Sequence, residues 1–245
     1  MSVLEHVIVS NPIFILTGAG ISKESGLATF RDPDGVWSKY RIEDVATPEA
    51  FAQNPKQVLD FYNLRRQQMN DPLIIPNKAH KALAKLESFW PGEVLLVSQN
   101  IDNLHERGGT INLIHMHGEL NKSRCDNCGN LVSGLGDLSS EMVCKNCGLN
   151  GCMRPHVVWF GEMPLFMDEI ITFLERSRLF LSIGTSGNVY PASGFVQKAR
   201  SVGAKTIELN LEKSEGATLF HEARYGLATE LVPAIVDELE KLTQV

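Results

Sequence analysis

The sequence has no long apolar run. Stretches such as 94–97 and 179–183 are far short of the roughly 20 residues that span a bilayer, so no membrane partner is expected. It has no Lys or Arg before Lys23, and Asn11-Pro12 breaks the first apolar stretch. A secretory signal peptide needs a basic start and an unbroken apolar core, so the chain is expected in the cytoplasm. Basic charge is in deficit: 23 Lys and Arg stand against 29 Asp and Glu, a net charge of −6. Duplex binders carry basic surface to displace counterions, so nucleic acid is not expected as a partner. No internal repeat stands out, which excludes solenoid architectures.

What is present is a chain of 245 residues, enough for one large domain or one large and one small. Short apolar runs at 13–17, 94–98, 111–115, 179–183 and 206–209 read as strands. Helical patterns at 77–89, 167–176, 194–201 and 231–242 lie between or after them. This alternation predicts an α/β fold: a Rossmann-like parallel sheet with helices on both faces. Ligands of such sheets bind outside the carboxyl ends of the strands.

Two regions break the alternation. Residues 32–75 hold helix starts, with Thr47-Pro48-Glu49 and Asn54-Pro55 placing a capping side chain before a first-turn proline. Residues 121–155 hold all five cysteines. The expected division is a discontinuous large domain of 1–31, 76–120 and 156–245. A small domain would combine a helical lobe at 32–75 with a zinc-ribbon module at 121–155.

The first strand runs into Gly18-Ala19-Gly20-Ile21-Ser22. Glycines there let backbone amides approach a pyrophosphate, although a GxG alone equally describes a tight structural turn. Polar clusters follow three other strands: Gln99-Asn100-Ile101-Asp102, Gly184-Thr185-Ser186 and Asn210-Leu211-Glu212. Together they could line one crevice, their hydroxyls and amides suiting phosphate and ribose.

Cys125 and Cys128 are separated from Cys144 and Cys147 by 15 residues, a spacing that fits a tetrahedral zinc site. The alternative is two redox or incidental pairs. Four protein ligands leave no position for water, so the zinc would be structural. Cys152 is left as a free thiol or a spare ligand. His115 and His117 share a strand face. Either could be structural, but His117 precedes a glycine at the junction of two modules, which favours it as general base.

These segments, in this order, with Phe30-Arg31, His117-Gly118 and the run from Arg154 to Glu162, resemble the sirtuin family. Details resemble its bacterial, CobB-type class III branch. The resemblance covers nearly the whole chain. It implies an NAD-dependent protein-lysine deacylase with one structural zinc, NAD as co-substrate and acylated lysines of proteins as partners. Nicotinamide and free lysine would leave, and the acyl group would pass to ADP-ribose. Catalysis would fall to His117, Asn100 and Asp102. NAD contacts are implied at Gly18, Ala19, Gly20, Ile21, Phe30, Arg31, Trp37, residues 99–102, 184–186 and 210–212, and Ala228. Val157, Val158, Trp159 and Phe160 would line the lysine channel. Ala28-Thr29 stand where many sirtuins have Pro-Asp, as in class III members.

Tyr62 and Arg65 lie three apart in a helix expected to start near Pro55. Spacing alone also describes a solvated face with an aromatic anchor. The class III resemblance implies that the pair reads the carboxylate of succinyl- or malonyl-lysine, with acetyl-lysine also a substrate. Arginine's planar fork and a phenol donor suit a carboxylate. Rival readings are a mono-ADP-ribosyltransferase, a noncatalytic NAD sensor and, because the third fingerprint glycine is displaced, less readily a dehydrogenase.

Overall fold

Three five-residue apolar runs make the centre of the larger sheet: β1 (Ile13–Thr17), β2 (Val94–Ser98) and β7 (Leu179–Ile183), every residue buried. The computed structural model of the chain describes residues 3–28, 40–134 and 136–244. β3 (Leu113–His115), β8 (Lys205–Asn210) and β9 (Glu222–Tyr225) complete a parallel sheet in the order β3-β2-β1-β7-β8-β9. The order reverses between β1 and β7, the doubly wound arrangement.

Strands buried on both faces need cover on both faces. Ile13 and Ile15 point to the layer made by helices α5 (Lys78–Phe89) and α9 (Ala228–Leu242). Phe14 and Leu16 point the other way, to α7 (Met167–Arg176) and α8 (Phe195–Ser201). Asn77 begins α5 by accepting from the amides of Ala79 and His80, while His80 Nδ1 accepts the Asn77 amide in return. β3 starts two residues later than its apolar pattern predicts, because the Glu87 carboxylate takes the amides of Ile111 and Asn112 at 2.9 and 2.7 Å.

The interrupted region between β1 and α5 folds as short helices α2 (Ile42–Val45) and α3 (Pro48–Gln53) and the longer α4 (Pro55–Met69). Thr47 and Asn54 cap α3 and α4, each ahead of its first-turn proline. Val45, Val58 and Phe61 pack there with Leu120, Val157 and Trp159. The last three belong to, or directly follow, a second, antiparallel sheet of β4 (Gly118–Cys125), β5 (Leu131–Ser133) and β6 (Met153–Val157), in the order β5-β4-β6. Short helices α1 (Gly20–Lys23) and α6 (Leu104–Gly108) follow β1 and β2. Among the described residues, no helix is long and apolar enough to cross a membrane.

Candidate active site

The carboxyl ends of β1 and β7 meet where the strand order reverses, and there the two segments approach backbone to backbone. Gly18 N donates to Ile183 O at 3.0 Å and Gly20 N to Gly184 O at 2.9 Å. Gly184 has φ +62°, and a Cβ on it would lie 2.6 Å from Ile21 N. One on Gly18 would lie 2.7 Å from Gly184 O. Only glycine permits this approach, and it leaves a floor of main-chain groups beneath a cleft of about 800 Å³. The cleft takes in Gly18, Ala19 and Gly20 from one strand end, Gly184, Thr185 and Ser186 from the next, and Asn210, Leu211 and Glu212 from the third. Ala228, at the start of α9, also lines it.

The loop after β2 supplies Gln99, Asn100, Ile101 and Asp102 to the same cleft. Its polar groups are cross-braced. Asn100 Nδ2 donates to Gly18 O at 3.0 Å and to Ser22 Oγ at 3.2 Å. Ser22 Oγ donates to Asp102 Oδ2 at 3.0 Å, and Asp102 Oδ1 accepts the Leu104 amide at 3.0 Å. Burial pushes the Asp102 carboxyl pKa up, against the pull of these hydrogen bonds.

His117 lines the cleft just past β3. Its Nδ1 lies 3.0 Å from Gln99 O. A carbonyl only accepts, so Nδ1 carries the hydrogen and the neutral ring has its lone pair on Nε2. Burial lowers the pKa of this histidine, with the Gln99 contact opposing. The ring is therefore held in the form that can take up a proton. Gly118 follows at φ +80°, where a Cβ would stand 2.1 Å from His156 O.

Tyr62 and Arg65, on α4, also line the cleft. Trp159 Nε1 donates to the Tyr62 hydroxyl at 3.0 Å. With an oxygen lone pair so engaged, the phenol retains its own hydrogen to donate. Burial raises the Tyr62 pKa, keeping it a neutral donor. Trp159 is itself fixed: its amide donates to Glu162 Oε2 at 2.8 Å and its ring lies under the Arg154 guanidinium. Arg154 grips both oxygens of Glu162, at 2.8 and 3.0 Å. Burial lowers the Arg65 pKa, while the nearby Tyr62 and Asp102 oppose this. Val157, Val158 and Phe160 also line the cleft.

Away from the cleft, the Sγ atoms of Cys125, Cys128, Cys144 and Cys147 lie within 4.8 Å of one another. Cys125–Cys147 and Cys128–Cys144 are each 3.7 Å apart. A tetrahedron with Zn–S bonds of about 2.3 Å has edges of about 3.8 Å, so the four sulfurs fit one zinc ion with no open position. The Gly129 and Gly148 amides close each knuckle onto Cys125 O and Cys144 O at 2.9 and 2.8 Å. Cys152 lies 3.3 Å from Cys125 and donates to Leu149 O, outside the four.

Not every expected site residue lines the cleft. Ile21 is fully buried in the core beside Ala79 and Leu83. Phe30, Arg31 and Trp37 lie outside the described residues. Conversely, Ser22, Ala46, Met69, Leu120 and Tyr190 line the cleft without having been singled out as site residues. Ser22 carried a signal in its place directly after the glycine turn; the others carried none.

Comparison with known proteins places these observations. The model of the Sir2 family matches residues 18–191. An NAD-dependent protein deacylase of Vibrio vulnificus (strain YJ016) is 58% identical over 227 residues, covering 93% of each chain. One from Salmonella typhimurium (strain LT2) is 56% identical over 234 residues, covering 95% of this chain and 86% of its own. Among solved structures, a Sir2 homologue mutant in complex with ADP-ribose superposes with a TM-score of 0.88 at 36% identity, covering 96% and 94% of the two chains. A Sir2 variant with a deacetylated p53 peptide and 3′-O-acetyl ADP-ribose gives 0.81 at 29% identity, covering 96% and 95%. By sequence and by fold, the chain belongs to the Sir2 family.

Proposed function

We propose that this chain is an NAD-dependent protein-lysine deacylase, acting on acetyl-lysine and on succinyl- and malonyl-lysine. The observation that carries the reading is the single cleft itself. It joins the main-chain floor at the strand ends, a histidine held with its Nε2 lone pair available, and the Tyr62–Arg65 pair. The large body would comprise 1–31, 76–120 and 156–245, and the smaller 32–75 and 121–155. Five unpaired cysteines, four of them converging as zinc ligands, support a reducing, cytoplasmic setting.

NAD, when bound, supplies a nicotinamide leaving group and the ADP-ribose that accepts the acyl group. The amides and hydroxyls of residues 18–20 and 184–186 and the side chains of Asn210 and Glu212 would hold it. Asn100 and Asp102, braced through Ser22, would orient its ribose end. His117 Nε2 would receive a proton from a ribose hydroxyl, general-base help worth about 10²–10⁴-fold. Val157 to Phe160 would enclose the lysine stem and exclude water that would otherwise hydrolyse NAD. Arg65 and the Tyr62 hydroxyl would meet a carboxylate at the end of the acyl chain.

Incubation with NAD and either acetyl- or succinyl-lysine peptide, with the products weighed, tests this directly. Free lysine and acyl-ADP-ribose are expected; a peptide heavier by ADP-ribose would instead identify a transferase. A hydrogen bond to a charged group contributes about 1.5–3 kcal/mol, so Arg65→Met is expected to lower desuccinylation about 10- to 150-fold relative to deacetylation. Equal loss of both activities would remove Arg65 as the reader.

A further inference from the structure

His115, two residues before the candidate base, does not line the cleft, yet it grips the loop that does. His115 ends β3 and His117 follows in the turn, and their Nδ1 atoms meet consecutive carbonyls: His117 that of Gln99 and His115 that of Asn100, both at 3.0 Å. The two rings differ at the other nitrogen. His115 Nε2 lies 2.9 Å from Glu106 Oε1 on α6. A carbonyl and a carboxylate both only accept, so both His115 nitrogens must carry hydrogen for both contacts to form. That is an imidazolium.

The surroundings agree. Burial pulls the His115 pKa down, but Glu106, the Asn100 carbonyl and Glu119 on β4 outweigh it and raise it. A carboxylate oxygen of Glu106, a ring nitrogen of His115 and a carboxylate oxygen of Glu119 lie within 4.8 Å of one another, and Glu119 is also paired with Lys122. Asp102 and the neutral His105 are the other titratable groups within electrostatic reach.

We propose that His115 and Glu106 form a positioning pair that holds the 99–102 loop in its NAD-binding arrangement only while His115 is protonated. The inference rests on the function proposed above. The Asn100 carbonyl belongs to the residue whose side chain reaches Gly18 and Ser22, and Ser22 in turn holds Asp102. One grip on that carbonyl therefore sets several groups facing the cleft. When the imidazolium loses a proton, the remaining hydrogen stays at Nε2 with the stronger acceptor, the Glu106 carboxylate. Nδ1 then presents a lone pair to the Asn100 carbonyl and releases it.

The test is calorimetric binding of NAD, without peptide, between about pH 6 and 9, alongside ¹⁵N NMR of the His115 ring in the unliganded protein. The ring is expected to be doubly protonated at neutral pH, and the Asn100 and Ser22 signals to move with its titration. NAD affinity is expected to fall about tenfold through the same transition, the low end for a charge-assisted hydrogen bond. Glu106→Gln should bring that transition down towards the ordinary histidine value of about 6.5. His115→Asn, whose amide can stand where Nδ1 stands, should keep the tight affinity and make it independent of pH. His115→Ala should bind weakly at every pH.

A neutral His115 at pH 7, or NAD affinity that stays flat while His115 titrates, would overturn the proposal and leave the deacylase reading intact. The NMR titration of the natural chain decides the matter even if the alanine variant fails to fold. No NAD binding at any pH would remove the proposed function and this inference together.

Discussion

Replacing His80 by Gln should flatten the acid limb of the stability curve. His80 sits at the start of α5, fully buried, with Nδ1 accepting the Asn77 amide and Nε2 buried without a partner. It packs edge-on against His105 at 4.8 Å, and His105 is also buried. Burial pushes the His80 pKa down to about 4. In the unfolded chain it titrates near 6.5, so between these values the unfolded state binds the extra proton and stability falls as pH falls. Integrated over that window, His80 alone lowers stability by about 2 kcal/mol at pH 5 and about 3 kcal/mol at pH 4 relative to neutral pH. Below about pH 3 its contribution no longer changes. His80→Gln keeps an acceptor for the Asn77 amide, as in the ordinary capping box, but cannot titrate. Urea unfolding of both proteins at several pH values gives the difference, in which the carboxylates and the zinc site largely cancel. The variant is expected to lose less stability than the natural chain by the amounts above. Superimposable pH dependences would refute the reasoning and place the buried His80 charge in contact with water or a counter-ion.

Three further outcomes follow from the described contacts. Cys125→Ala should lose zinc and the fold of the smaller sheet together, read by metal content and circular dichroism, because structural zinc binding is coupled to folding. Trp159→Phe removes the donor to Tyr62 at 3.0 Å while keeping a ring under Arg154, and should raise the KM for succinyl-lysine about 2- to 10-fold with acetyl-lysine unchanged. The effect should vanish in a Tyr62→Phe background. Gly184→Ala puts a methyl group 2.6 Å from Ile21 N at φ +62°, with backbone on both sides that cannot yield; calorimetry should show weakened NAD binding, and melting should show a cost of about 3 kcal/mol.

β1, β2 and β7 were legible in the sequence to the residue, because five consecutive buried positions with turn residues on each side have no other reading. The zinc cluster was legible because the ligands come in close pairs. β9 was not: Glu222–Tyr225 alternates half-buried and exposed positions at the sheet edge, and half of its residues are charged. β4 was missed for a related reason. Its run from Gly118 to Cys125 is mostly polar, and it is a strand because β5 and β6 pair with it on either side. The strand ends could be named as neighbours from the parallel topology alone. The donation from Trp159 to Tyr62 spans 97 positions, and the hold of His115 on Asn100 depends on a strand end meeting a loop; no local pattern encodes either. Ile21 shows what a motif does not tell. It belongs to the turn motif by position, but its side chain faces the hydrophobic layer under the sheet.

The meeting of Gly18, Gly20 and Gly184 has a practical consequence. The strand ends line the cavity with peptide groups pinned by the sheet, whereas α4 and the segment after β6 line it with side chains. Under the function proposed above, the residues that would sort acyl tails and the glycines that would seat the dinucleotide therefore come from different elements of the fold. An engineer wishing to retarget this scaffold would start at Arg65, whose charge is felt by Asp102, and leave the three glycines alone.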